Sequence, residues 1–139
     1  MAVIDSFSGK YWFLSNFYPC EIVYDGINYP TIEHAYQAAK TLDKVTRLRI
    51  AALDRPDQAK KIGKTIELRD DWEEVKVCVM YDLLKLKFSQ DKFRKLLLET
   101  GDNQLIEGNT WGDQFWGVAS GIGLNALGKL LMKVREDLK

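Results

Sequence analysis

Apolar residues along this chain recur at two spacings, and the change from one to the other separates an extended opening from a helical remainder. Glu21-Ile22-Val23-Tyr24 and Ile27-Asn28-Tyr29 flank Asp25-Gly26, a pair that tolerates the left-handed backbone of a type I′ hairpin turn. From Thr31 onward the spacing becomes helical. Thr31 is a good N-cap for a helix with the apolar stripe Ala35, Ala38, Ala39 and Leu42. A second helical pattern covers about Val45 to Leu53. A third begins at Pro56, in the favoured first helical position, and can stop at Gly63. The strongest runs from Asp71 to about Phe88, where Trp72, Val75, Val79, Leu83 and Leu86 repeat behind a capping-box pair, Asp71 and Glu74. Asp91 to Thr100 is closed by Gly101, the expected left-handed residue after a helix. Gln104-Leu105-Ile106-Glu107 reads as a short strand, Gly108 to Gly123 as an irregular loop, and about Leu124 to Leu138 as a final helix.

This order predicts an α+β fold: a mainly helical single domain over residues 1–139, with a small sheet formed by the N-terminal hairpin and the late short strand. Strands and helices do not alternate, which excludes a doubly wound sheet. Gly121-Ile122-Gly123 continues as Leu124-Asn125-Ala126, so the third glycine of a dinucleotide fingerprint is missing.

Charge narrows the function. Twenty basic and twenty acidic side chains cancel in 139 residues, which argues against nonspecific nucleic-acid binding through counterion release. The local run Lys60-Lys61-Ile62-Gly63-Lys64 reads as a solvated helix face. Two cysteines, Cys20 and Cys78, fit neither a disulfide scaffold nor a metal knuckle. The opening residues lack a basic segment followed by an apolar run, and no apolar stretch is long enough for a bilayer. The expectation is a cytoplasmic protein with no membrane partner. Its oligomeric state is open.

Two stretches carry candidate chemistry. In Pro30-Thr31-Ile32-Glu33-His34-Ala35-Tyr36-Gln37-Ala38-Ala39-Lys40 the single histidine stands beside a glutamate in the first helical turn, where the helix end favours a carboxylate. Gln37 and Lys40 fall on the same polar face as Glu33. A plain alternative makes Glu33 a dipole partner and leaves His34 at the surface. One histidine with no second ligand cluster gives no metal site. The second stretch is Asn109 to Gly117, "NTWGDQFWG", where Asp113 lies between Gly112 and Gly117 among Trp111, Phe115 and Trp116. Glycines let a backbone approach a ligand, and rings wall a nucleobase or sugar. The alternative is an aromatic loop packed on the core with Asp113 capping a turn. Trp72 alone reads as a core anchor. Ser120 to Gly123 before the last helix could offer amides to a phosphate or simply be a glycine turn. Nucleophilic triads, P-loops and zinc-deaminase cysteines are absent, which leaves two distant carboxylates with aromatic platforms. Such a pair suits glycosidic hydrolysis.

The same residues resemble the NADAR superfamily, the NAD- and ADP-ribose-associated domains that include YbiA-type N-glycosidases of riboflavin intermediates. The resemblance rests on Leu14-Ser15-Asn16-Phe17, Pro30-Thr31 through Glu33-His34, Tyr36-Gln37, Ala39-Lys40, Arg69 with Asp71-Trp72, Met80, Asp113-Gln114-Phe115-Trp116-Gly117, and Gly123, Asn125, Leu127-Gly128 and Leu130-Leu131-Met132. It implies cleavage of an N-glycosidic bond between a ribosyl group, as phosphate or ADP-ribose, and a nucleobase-like amine, with no cofactor and no metal. The substrate expected is a small ribosylated nucleotide-like molecule. Removal of ADP-ribose from guanine in nucleic acid, or ADP-ribose binding without cleavage, are the alternatives. Carried over by motif, Glu33, Asp113 and Trp72 are the expected catalytic residues. Asn16, Lys40, Trp116, Gly117 and Asn125 are the expected substrate-binding residues. A Trp111-Gly112 addition before Asp113 departs from the family pattern and bears on how the leaving base is held. On this reading Glu33 and Asp113 converge on one aromatic-lined cleft.

Overall fold

The computed structural model describes residues 2–139, and its contacts group them into two units, one of residues 16–87 and one of residues 2–15 with 88–139. In the first unit, β2 (Ile22–Tyr24) and β3 (Ile27–Tyr29) form the expected hairpin. Asp25 and Gly26 take φ of 49° and 80°, the two positive values a type I′ turn requires. The Arg47 guanidinium reaches back to Asp25 at 2.9 Å and to the Thr41 carbonyl at 2.8 Å, tying the turn to α2 (Lys44–Ala51). α1 (Ile32–Ala39) packs on α2, on α3 (Pro56–Gly63) and on β3.

All eight residues of α1 are buried. Its alanines are small enough for neighbouring helices to close over it, which explains why so short a helix is covered on every side. α1 stops at Ala39, so Leu42 leaves the expected stripe and stands 68% exposed. The long helix α4 (Trp72–Phe88) buries Trp72, Val79, Met80, Leu83, Leu84, Lys87 and Phe88. The register differs from the expected stripe at its end: Leu86 is 37% exposed, and Lys87 takes the inward position. The Asp71 carboxylate is gripped by Arg69 at 2.6 and 3.1 Å.

The second unit holds β1 (Val3–Ile4), a 3-10 helix at Gly9–Leu14, α5 (Asp91–Glu99), β4 (Gln104–Leu105), β5 (Gly108–Asn109), β6 (Val118–Ala119) and α6 (Ala126–Asp137). Here the expected sheet is corrected. The late strand β4 pairs in parallel with β1, and the hairpin is a separate two-stranded sheet. The segment expected to be irregular contains β5 and β6, also a parallel pair. Leu97, Leu105, Leu127, Leu131 and Val134 fill this unit's core, and Phe88 meets Phe93 edge-on at 6.4 Å. Among the described residues no helix is long and apolar enough to cross a membrane.

Candidate functional site

Glu33 sits in a first turn that is capped twice. Thr31 accepts the His34 N–H at 3.1 Å on its hydroxyl, and the Asn16 carbonyl accepts the Glu33 N–H at 3.1 Å. Two of the orphan donors of a helix start are thereby satisfied. The Glu33 side chain then runs along the helix, and Gln37 one turn later donates its Nε2–H to Glu33 Oε2 at 3.2 Å. Glu33 is only 7% exposed. A carboxylate so far from water needs donors and counter-charge, and Lys40 on the same face supplies charge. Burial pushes the Lys40 ammonium below its ordinary value, Glu33 opposes that shift, and the cations Lys64 and Lys76 add to it.

Aromatic rings back this face. Lys40 Nζ lies 5.7 Å from the Tyr36 ring centre, and Tyr36 packs on Trp72 at 5.2 Å with the rings tilted by 57°. The Arg69 N–H bonds the Lys40 carbonyl at 2.7 Å, so the entry to α4 is fastened to the end of α1. Trp72 is 4% exposed and serves here as the anchor beneath Tyr36. Asn16 points its Nδ2 at the Met80 sulfur at 3.6 Å, while its Oδ1 is buried without a partner. Glu33, Tyr36, Lys40, Trp72 and Asn16 are thus gathered in the 16–87 unit. An open cleft of about 480 Å³ in the same unit is lined by Thr41 to Asp43 and Glu67 to Asp71, and contains none of them. Its four carboxylates make it a poor place for a phosphate.

His34 corrects one expectation. The plain reading left it at the surface, yet it has no exposed area. Nε2 bonds the Leu53 carbonyl at 3.0 Å and Nδ1 meets the Thr31 hydroxyl at 2.7 Å. The carbonyl can only accept, so Nε2 carries the proton and Nδ1 accepts from Thr31. Burial lowers its pKa, against a smaller opposing effect of the Leu53 bond. This imidazole is a neutral strut fixing the helix start under Glu33.

Asp113 lies in the other unit, in the turn between β5 and β6. Its Oδ1 accepts the Phe115 and Trp116 N–H groups at 3.1 and 2.9 Å, an Asx turn. Asn109 braces the loop from inside, accepting the Asp113 N–H at 3.0 Å and donating to the Asp113 carbonyl and to Glu107 Oε2, both at 2.9 Å. Asp113 therefore does cap a turn, with one oxygen committed and Oδ2 left open. Trp116 is half-buried and meets Phe115 edge-on at 4.8 Å, whereas Trp111 is 61% exposed.

The remaining expected residues frame that loop. Asn125, at φ 54°, accepts the Glu107 N–H at 2.9 Å and donates to the Leu105 carbonyl at 3.0 Å. Both ends of its amide are spent on the backbone. Gly117 is a place where no Cβ fits, since one would overlap the Glu107 carbonyl and carboxylate oxygens. The start of α6 is closed as an anion site. Leu124, Asn125, Ala126 and Leu127 donate their N–H groups to the carbonyls of Gln114, Gly117, Phe115 and Trp116 at 2.8, 3.3, 3.0 and 2.9 Å. Among the described residues no group of three or more His, Cys, Asp or Glu side chains is placed to hold a metal ion.

Sequence reasoning passed over Gln37 and Asn109 as working parts. Gln37 carried a signal, its position one turn after Glu33. Asn109 has local partners, Glu107 two residues before it and Asp113 four after it, but an asparagine in a glycine-rich loop carries no pattern that sets it apart.

The NADAR domain profile matches residues 5–139. An N-glycosidase of Escherichia coli, YbiA, is 42% identical over 137 residues, covering 96% of this chain and 85% of that protein. A riboflavin biosynthesis protein of Vibrio vulnificus is 38% identical over 131 residues, covering 91% of this chain and 35% of the longer relative. The solution NMR structure of E. coli YbiA superposes with a TM-score of 0.85 at 39% identity, over 99% of this chain and 86% of that one.

Proposed function

The chain belongs to the NADAR family, and we propose that it is an N-glycosidase that hydrolyses the bond between a ribosyl phosphate and a nucleobase-like amine, as in riboflavin-biosynthesis intermediates. The names of its relatives support this class of reaction. The observation that carries the reading is Glu33: a carboxylate 7% exposed, oriented by Gln37 and flanked by the cation of Lys40.

In the reaction, water adds to the anomeric carbon as the carbon–nitrogen bond breaks, and the nitrogen leaves with a proton as the free amine. Positive charge builds on the sugar on the way, so a fixed carboxylate is worth more in the transition state than before it. Glu33 fills that role and takes the proton of the incoming water. Help of this kind is worth roughly 10²–10⁴ in rate. Lys40 holds the phosphate as a point charge, and Tyr36 on Trp72 supplies the flat apolar surface beside it. Asp113 is assigned as the second carboxylate on the likeness of its DQFWG motif, with Trp116 as the ring for the leaving base. Asn125 and Gly117 serve by holding that loop. Residues 1–139 act as one family domain.

The test is a substrate panel read by mass spectrometry: ribosylaminopyrimidine phosphates, ADP-ribosyl guanosine and ADP-ribosylated DNA, each with wild type and Glu33→Gln. Release of the amine from the small phosphates by wild type alone is expected, and the net charge of zero favours them over DNA. A Glu33→Gln protein that folds and turns over normally would refute the assignment. Tight binding of ADP-ribose with no product would replace hydrolysis by recognition.

A further inference from the structure

Gln37 is 5% exposed and makes one good bond, from Nε2 to Glu33 Oε2 at 3.2 Å. Its other end is an anomaly: Oε1 is buried and has no partner. Rotating the amide by half a turn would exchange the two atoms, but it would press the oxygen against a carboxylate. The observed orientation therefore leaves one acceptor unsatisfied in order to aim a donor at Glu33. A residue present only to fill the core would be apolar here, because an orphaned buried oxygen is costly and a methionine of the same length has none.

A second residue makes the placement possible. Gly63 closes α3 with an ordinary backbone, so no left-handed turn calls for glycine there. Space calls for it: a Cβ at Gly63 would overlap Gln37 Oε1 and stand 3.2 Å from Gln37 Cβ. α3 packs on α1, and at this point of approach the glycine leaves just the volume that the glutamine amide fills.

We propose that Gln37 is a positioning residue for Glu33, holding its Oε2 so that Oε1 faces the reacting water, and that Gly63 is the gap in α3 that keeps Gln37 in place. This rests on Glu33 being the acting carboxylate. The donor both fixes the side-chain rotamer and favours the ionised form.

The test uses the free protein as well as turnover. Titration of the Glu33 carboxyl carbon by ¹³C NMR, assigned by its loss in Glu33→Gln, compares wild type with Gln37→Met. The other charges of this corner, Lys40 just beyond α1, Lys64 just beyond α3 and Lys76 on α4, are the same in both. The midpoint is expected to rise by about half a pH unit or more in Gln37→Met, and kcat on the panel substrate to fall roughly 10- to 100-fold with KM little changed. Gly63→Ala should give a comparable loss of kcat. It should give no further loss in a Gln37→Ala background, where nothing remains for the new Cβ to strike. An unmoved midpoint together with unchanged kcat in Gln37→Met, while Glu33→Gln is inactive, would overturn the positioning role and leave the function standing. Normal turnover by Glu33→Gln would overturn both.

Discussion

Lys87 occupies the last turn of α4 with no exposed surface, its Nζ 5.7 Å from the centre of the Tyr18 ring. Burial pushes its pKa from 10.5 down to about 7, with Cys20 opposing. The unfolded chain then binds more protons than the folded one between those two values. Stability should therefore rise as pH increases through that window, and the penalty of burying this lysine is complete below it. Lys87→Met keeps the length and flexibility of the side chain and removes the ionisable group. The stability of the variant relative to wild type should fall by about 1 kcal/mol per pH unit between pH 7.5 and 9. Urea unfolding of both proteins at pH 7, 8 and 9 measures it, and taking the difference removes every group the two share. Parallel curves would show that Lys87 keeps its ordinary charge in the folded state.

Three further outcomes follow from the same geometry. The folded-state pKa of His34 lies below its ordinary 6.5, so its contribution is complete above that value and is lost as pH falls beneath it; His34→Gln should flatten the stability profile between pH 6.5 and 5 in thermal melts. Gly117→Ala places a Cβ on the Glu107 oxygens and should cost about 1–3 kcal/mol by urea unfolding; a neutral result would mean that the strand pair opens easily. Asp113→Asn keeps an oxygen for the Phe115 and Trp116 N–H groups, so it should melt within a few degrees of wild type and lose turnover by about 10²-fold or more. Loss of structure instead would demote Asp113 to a turn cap.

Local chemistry made much of this fold readable. Asp25-Gly26 specified its turn, Thr31 its cap, and Pro56 the start of α3, because each acts on its own few residues. The pairing of β1 with β4 and of β5 with β6 joins positions distant along the chain, and two-residue strands carry too little pattern to announce a partner. The inward turn of Lys87 was hidden for another reason. Helical period puts it on the face of Leu83 and Leu84, but residue type steered the reading to its apolar neighbour Leu86. At the site, Glu33, Gln37 and Lys40 share a face by spacing alone, and that was visible. The burial of His34 was not, since its partner Leu53 lies 19 residues away.

The bonds between residues 114–117 and the head of α6 set a limit on how this loop can vary. Each of those four residues surrenders a carbonyl to a particular amide of the segment Leu124 to Leu127, so an insertion or deletion there would slip the whole ladder and unseat the helix. Apart from Gly117, side chains can change while the residue count cannot. Thr110, Trp111 and Gly112 are exposed, and it is there, outside the ladder, that the chain has room to differ in length.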